Sequence, residues 1–225
     1  MMGQTGGFAP FGADHLAVIA VVLIGSLALI GSRAALRTSD HRLVRRAAAL
    51  ALLGCGIISW TIAMPGALYV PFQLCDVGLL LTAVALWGAG GQIAELAYFW
   101  GLSGSLQAIA TPNLAEPFPS VVWWTFFLDH VGIVLGVVYL AASGRIHPTQ
   151  RSVWRVWGWR NGYAVVAGLA NWIWGTNYGF LARKPAQPSL LDYFGPWPVY
   201  IIGLEAAALV SFALCYAPVA LSAKE

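Results

Sequence analysis

The stretch VPFQLCDVGLLLTAVALWG, Val70–Gly88, sets the fold class. From Val77 onward it is almost wholly apolar, with no charge before its glycine end, and it reads as a helix buried all round. Yet Gln73, Cys75 and Asp76 stand in its first turns. A soluble core helix would not need so apolar a body. A membrane helix would not carry a carboxylate without a use for it. The rest of the chain favours the membrane: of 225 residues, 59% are hydrophobic and only 9% charged, against about 25% charged in a soluble domain. Mean hydropathy is +0.73.

A hydrocarbon core of about 30 Å needs about 20 apolar residues per helix. Working outward from Val70–Gly88, seven segments satisfy this: Asp14–Ala35, Arg45–Ala63, Val70–Gly88, Ala94–Ala110, Ser120–Ala142, Asn161–Leu181 and Trp197–Leu221. MPG, GAGG and TPN close the second, third and fourth. PFPS and GPWP put prolines at helix starts, where a missing N–H costs little. The start lacks a basic leader, so Leu16–Ile30 reads as a first spanning helix and not a cleaved signal. The expected fold is all-α: one polytopic bundle of about seven transmembrane helices over residues 1–225, a multi-pass protein of the cell membrane. Arg33, Arg37, Arg42, Arg45 and Arg46 lie in the first connection, and Arg145, Arg151, Arg155 and Arg160 in the fifth. Only Arg183 and Lys184 fall on the other side. The positive-inside rule then puts the N-terminus outside and the C-terminus in the cytoplasm.

The net charge of +3 is small and confined to loops, which signals topology and not a nucleic-acid surface. Cys55, Cys75 and Cys215 have neither CxxC nor Cys/His spacing, so no metal site, disulfide scaffold or cofactor is expected. There is no GxSxG elbow, P-loop or HExxH motif, and no lysine in the last helix to carry a retinal.

Polar residues inside spanning helices face the bundle interior or a cavity. On the expected topology, Gln73, Cys75 and Asp76 sit early in the third helix and Gln107 late in the fourth. Asn177 and Tyr178 sit late in the sixth, Glu205 lies about 12 Å into the seventh, and His15 starts the first. Asp129 and His130 lie near mid-depth of the fifth. Nearly all fall in the outer half, which indicates a polar pocket opening outward. Hydrogen-bonding glue between helices would draw on the same residue types. Cys75 alone among the cysteines stands beside other polar groups, and His130 is the histidine well inside a span. Together they would form a nucleophile and base, with an acyl group as electrophile. Neighbours at i,i+1 diverge by about 100°, so Asp129 is not expected to orient His130. Asn177, Glu205 or His15 is expected to do so. Gln73, Gln107 or Asn177 could donate to an oxyanion.

VPFQLCD (Val70–Asp76), ELAYFWGLSGSLQAIATPNL (Glu95–Leu114), FPSVVWWTFFLDHVGIV (Phe118–Val134), NYGFLARKP (Asn177–Pro185) and SLLDYFGPWPVY (Ser189–Tyr200) are specific strings. On them the chain resembles the YwaF-like integral membrane proteins, a bacterial family related to the vertebrate transmembrane protein 164 group. The resemblance implies a multi-helix membrane fold and a thiol-dependent acyltransferase acting on phospholipids or lysophospholipids. Cys75 would be the acyl carrier and His130 the base. A more distant kinship, with threonine/histidine lipid hydrolases of the androgen-induced type, implies ester hydrolysis instead. Where related sequences read LPLHLCD, this chain has Gln73 in place of the histidine. A transporter or ligand-binding bundle, in which Asp76, Asp129 and Glu205 hold protons or a cation, is the alternative from a different class.

Overall fold

The computed structural model describes residues 7–63 and 70–222. They form eight α-helices: α1 (Ala13–Gly31), α2 (Arg33–Thr38), α3 (Arg42–Ala63), α4 (Leu74–Trp87), α5 (Gly91–Ala110), α6 (Val121–Ala142), α7 (Gln150–Trp174) and α8 (Tyr200–Ser222). Two short 3₁₀ turns, Tyr178–Phe180 and Leu190–Phe194, lie between α7 and α8, and there is no strand among the described residues. The break expected at Met64–Gly66 lies outside the described residues.

Four of the helices are long and apolar enough to cross a membrane: Ala13–Gly31, Arg42–Ile62, Val121–Ala142 and Tyr200–Leu221. The segment that opened the reading is shorter than expected. Its helix, α4, has 14 residues, about 21 Å, because Val70–Gln73 stays extended before it. The first segment also divides. Ser32 leaves helical geometry between α1 and α2, so Arg33 and Arg37 fall on a separate short helix.

The largest correction concerns the sixth segment, placed at Asn161–Leu181. Its helix α7 starts eleven residues earlier, at Gln150. Thr149 and Ser152 cap it reciprocally: Ser152 N–H donates to Thr149 Oγ1 at 3.2 Å and Thr149 N–H to Ser152 Oγ at 2.9 Å. Such a box ties up free N–H groups at a helix start. The helix stops at Gly175, which takes the left-handed conformation (φ 66°), a common helix terminator. Arg151, Arg155 and Arg160 are therefore helical and not loop residues, and Asn177 and Tyr178 lie beyond the helix.

Side-chain bonds define the two ends of the bundle. At one end, Trp123 Nε1 at the start of α6 donates to Asp14 at the start of α1 (3.0 Å), and His15 meets the carbonyl of Ile109 near the end of α5 (2.6 Å). At the other, Arg45 near the start of α3 donates to the Leu86 carbonyl of α4 (3.0 Å). There too, Glu95 of α5 accepts from Ser152 (2.8 Å) and Arg155 Nε (3.0 Å) of α7. That second end also carries Asp40, which binds Arg45 at 2.9 Å and Arg145 at 2.8 Å. α6 packs on α1, α3, α4 and α5, while α7 and α8 lie against α5. The core runs between α4, α5 and α6 through Leu79, Ala83, Phe99, Ile133 and Val137, with Phe212 of α8. Gly101 permits this approach, because a Cβ there would meet Ile133 Cγ2 at 2.9 Å. Outward faces carry large apolar side chains such as Leu27, Val165, Leu169, Ile202 and Leu214, as a lipid-facing surface requires.

Candidate functional site

A cavity of about 510 Å³ lies toward the end where α4, α6 and α8 begin. Its walls include Ser59 of α3, Cys75 of α4, Gln107 of α5, His130 of α6, Arg160 of α7 and Ala208 of α8. The segment after α7 covers it, with Phe180, Leu190 and Phe194 among the lining groups.

That cover is tied to the extended stretch before α4. Tyr163 Oη donates to the Phe72 carbonyl at 2.9 Å, and Gly179 N–H donates to Gln73 Oε1 at 3.0 Å. Gln73 Nε2 reaches the Asn177 carbonyl at 3.4 Å. The Phe72 ring packs on Tyr163 and Tyr178, with centroids at 5.2 and 5.4 Å. Gly179 sits at φ 63°, which a side chain would resist. Gln73 is therefore a strut that joins VPFQLCD to the cover.

Asp76 is structural as well. Its Oδ2 accepts from the Gln73 backbone N–H at 2.9 Å, which caps α4, and its Oδ1 accepts from Trp60 Nε1 at 2.9 Å. These bonds answer why a carboxylate stands at the head of an apolar helix. It ties up an orphan N–H at the positive end of the helix.

Cys75 and His130 both line the cavity. His130 is buried, and its Nδ1 lies 2.6 Å from the Phe126 carbonyl. A carbonyl can only accept, so Nδ1 carries the proton and Nε2 keeps a lone pair. Nε2 is buried with no hydrogen-bond partner among the described residues, so it is not bonded to the Cys75 thiol. The group that orients His130 is thus a backbone carbonyl one turn back, and not Asn177, Glu205 or His15. Asp129, also on the wall, faces the Cys55 thiol and Ser59 hydroxyl of α3. Its Oδ1 is buried without a partner among the described residues.

The other expected residues lie elsewhere or have different work. The Asn177 side chain folds its own loop: Oδ1 accepts from the N–H of Ala182 (3.1 Å) and Arg183 (3.0 Å), and Nδ2 donates to the Arg183 carbonyl (2.9 Å). Tyr178 N–H donates to Asn171 Oδ1 (2.7 Å), and its ring supports Phe72. Gln107 reaches the cavity, but its Nε2 donates to Thr111 Oγ1 at 2.7 Å. His15 is fully buried away from the cavity. It accepts from Phe11 N–H through Nδ1 (2.9 Å), so its Nε2 donates to Ile109. Glu205 is bonded to Arg160 Nη1 and accepts from Asn161 Nδ2 at 3.3 Å.

Arg160 is what the sequence reading missed. Counted among loop charges, it is buried at 6% exposure and faces the cavity. The signal was available in Glu205: a carboxylate inside a spanning helix calls for a cation, and Arg160 lies in the neighbouring helix.

Among the described residues no His, Cys, Asp and Glu cluster could hold a metal ion. No curated protein and no solved structure matches the chain. A family model does match, over residues 10–216, which spans all eight helices up to the last turns of α8 and includes every wall of the cavity. This multi-helix membrane protein belongs to the TMEM164 family.

Proposed function

We propose that the chain is a lipid-modifying enzyme that transfers acyl groups through Cys75. The observation that carries the proposal is His130: its Nδ1–H is committed to Phe126 O, which leaves a buried, partnerless lone pair on Nε2 in the wall that Cys75 shares. A base needs that tautomer. In the first step Nε2 takes the Cys75 thiol proton and Sγ attacks a lipid ester carbonyl. The ester C–O bond breaks, a thioester forms, and His130 returns the proton to the leaving alcohol. In the second, an acceptor hydroxyl, on a lysophospholipid or water, gives its proton to His130 and attacks the thioester. The C–S bond breaks and Cys75 recovers the proton. Gln73, Gln107 and Asn177 already have partners, so none is reserved as an oxyanion donor. The basic end, with Arg37, Arg45 and Arg145, is the cytoplasmic one under the positive-inside rule, and the cavity opens to the outer leaflet of the cell membrane.

The test is an acyl adduct. Purified protein given a phospholipid with a labelled acyl chain should gain that chain's mass on the Cys75 peptide, and hydroxylamine should remove it. Cys75→Ala should abolish the adduct, and His130→Ala should slow its formation about 10²–10⁴-fold. Full lipid turnover in both variants would refute the assignment. The partnerless Asp129 Oδ1 favours a second reading, a bundle that binds or moves a proton or cation without covalent chemistry. In that case Asp129→Asn, and not Cys75→Ala, would remove function.

A further inference from the structure

The proposed acyl chemistry leaves Arg160 without a task. Its Nη1 is hydrogen-bonded to Glu205. Its Nη2 and Nε make no hydrogen bond among the described residues, yet neither belongs to the sealed, partnerless atoms of the interior. Arg160 lines the cavity, and its side chain keeps 7% of its surface accessible. No lysine and no other arginine lines that cavity among the described residues.

A guanidinium offers five N–H donors in a flat fork that matches a phosphate. A buried guanidinium with part of that fork unspent is poised for an anion. The carboxylates around it are committed or distant. Glu205 is the ion-pair partner and also takes Asn161. Asp76 caps α4 and holds Trp60. Asp129 stands on α6, which shares no packed interface with α7, and faces Cys55 and Ser59. The remaining walls bring aliphatic and aromatic groups, Leu79, Ile133, Leu204 and Phe212 among them. Phosphate recognition within apolar walls describes an amphiphile better than a free ion. Tyr163, on the same face three residues on, lies in electrostatic range of both Arg160 and Cys75.

We infer that Arg160 is the phosphate anchor of the cavity, gripping the phosphodiester of a membrane lipid through Nη2 and Nε while Glu205 holds Nη1. This rests on the reading of the cavity as a lipid site and assigns the residue that selects phospholipid over neutral lipid.

Binding separates this inference from the acyl chemistry. Full-length protein carrying Cys75→Ala, which has no nucleophile at that position, is titrated with a fluorescent phosphatidylcholine and with a diacylglycerol of the same chains. The double variant Arg160→Gln/Glu205→Gln removes both charges, so no buried carboxylate is left unpaired. Its affinity for the phospholipid should fall at least about tenfold, as for loss of charge-assisted bonds, with diacylglycerol affinity unchanged. Equal loss for both lipids, or no loss for either, overturns the inference. Glu205→Gln alone keeps the cation and frees a further donor, so phospholipid binding should tighten. Unchanged or weaker binding overturns the inference even if the double variant fails to fold. Inorganic phosphate that displaces the phospholipid at equal concentration would move the site from a lipid to a free anion and overturn the lipid assignment. None of these results depends on whether Cys75 forms a thioester.

Discussion

Asp76 is the residue whose replacement best separates architecture from chemistry. Asp76→Ala removes at least the bonds to the Gln73 backbone N–H and to Trp60 Nε1, both 2.9 Å. Loss of a helix cap costs about 1 kcal/mol. Loss of a hydrogen bond to a charged group costs about 1.5–3 kcal/mol, and the Trp60 N–H would then lack its acceptor. The expected destabilisation is about 2.5–4 kcal/mol. Trp60→Phe removes the N–H together with part of the indole, so it should cost at least the bond itself, about 1.5–3 kcal/mol. Because they share a bond, the double variant should cost less than the sum of the two. The measurement is reversible unfolding in mixed detergent micelles, followed by far-ultraviolet circular dichroism. A loss below about 1 kcal/mol for Asp76→Ala, less than one charged hydrogen bond, would refute the capping argument. If lipid binding nevertheless collapsed, Asp76 would belong to the ligand site and not to the scaffold.

Other predictions concern the far end and the cover. The Asp40 carboxyl is held below its ordinary value of 3.8 by its hydrogen bond to Arg45, and by the charges of Arg45, Arg145 and Arg42, against the opposing effect of burial. Its folded-state value is depressed, so its stabilising effect is full above about pH 3.8 and disappears as pH falls through the lower folded value. Asp40→Asn should therefore destabilise by a constant amount from pH 7 to pH 5, and the two proteins should converge in stronger acid in the same unfolding assay. Gly203→Ala would drive a Cβ into the Phe194 ring of the cover. It should cost about 1–3 kcal/mol as overpacking and alter lipid affinity, while Gly54→Ala inside α3, where a Cβ meets nothing, should raise stability by about 0.5–1 kcal/mol and leave lipid affinity unchanged. Glu95→Gln should loosen the α5–α7 start by removing the acceptor charge for Arg155 and Ser152, measurable as faster hydrogen exchange at Ser152–Arg155.

Apolar length made the all-helical membrane fold legible, and α5, α6 and α8 lie within three residues of their expected limits. The errors arose where polar residues sit in helices. Gln150–Arg160 reads as a basic loop because Arg151, Arg155 and Arg160 interrupt it, yet Glu95 and Glu205 neutralise two of those charges from other helices. A window of one segment's hydropathy contains no term for a partner on another. The same limit applied to the site. Gln73, Cys75, Asp76, Gln107, Asp129 and His130, grouped at one end by the sequence, line one cavity in the structure. That grouping could not distinguish side chains that hold the frame from those that face the cavity, because that depends on bonds between distant positions, 106 apart for Gln73 and Gly179 and 108 for Tyr178 and Val70.

That distinction now bears on function more than the number of polar residues does. A buried polar atom without a partner costs free energy, commonly about 1–3 kcal/mol, so a fold keeps few of them. Beside this cavity both ends of the Gln73 amide are bonded to the cover, and the Asn177 amide is bonded within its own loop. Among the described residues partner lists stay open at His130 Nε2 and Asp129 Oδ1, both sealed within the wall, and at Nε and Nη2 of Arg160, which are not counted among the sealed atoms. The first two can only accept from a neutral or cationic donor, and the third can only donate to an anion or carbonyl. Only the Arg160 nitrogens call for an anion, and they do so beside the apolar walls of Leu79, Ile133 and Phe212, the pairing on which the proposed phosphate anchor rests. Cys75 then matters less for standing in a polar-looking string than for sharing a wall with atoms that still want partners.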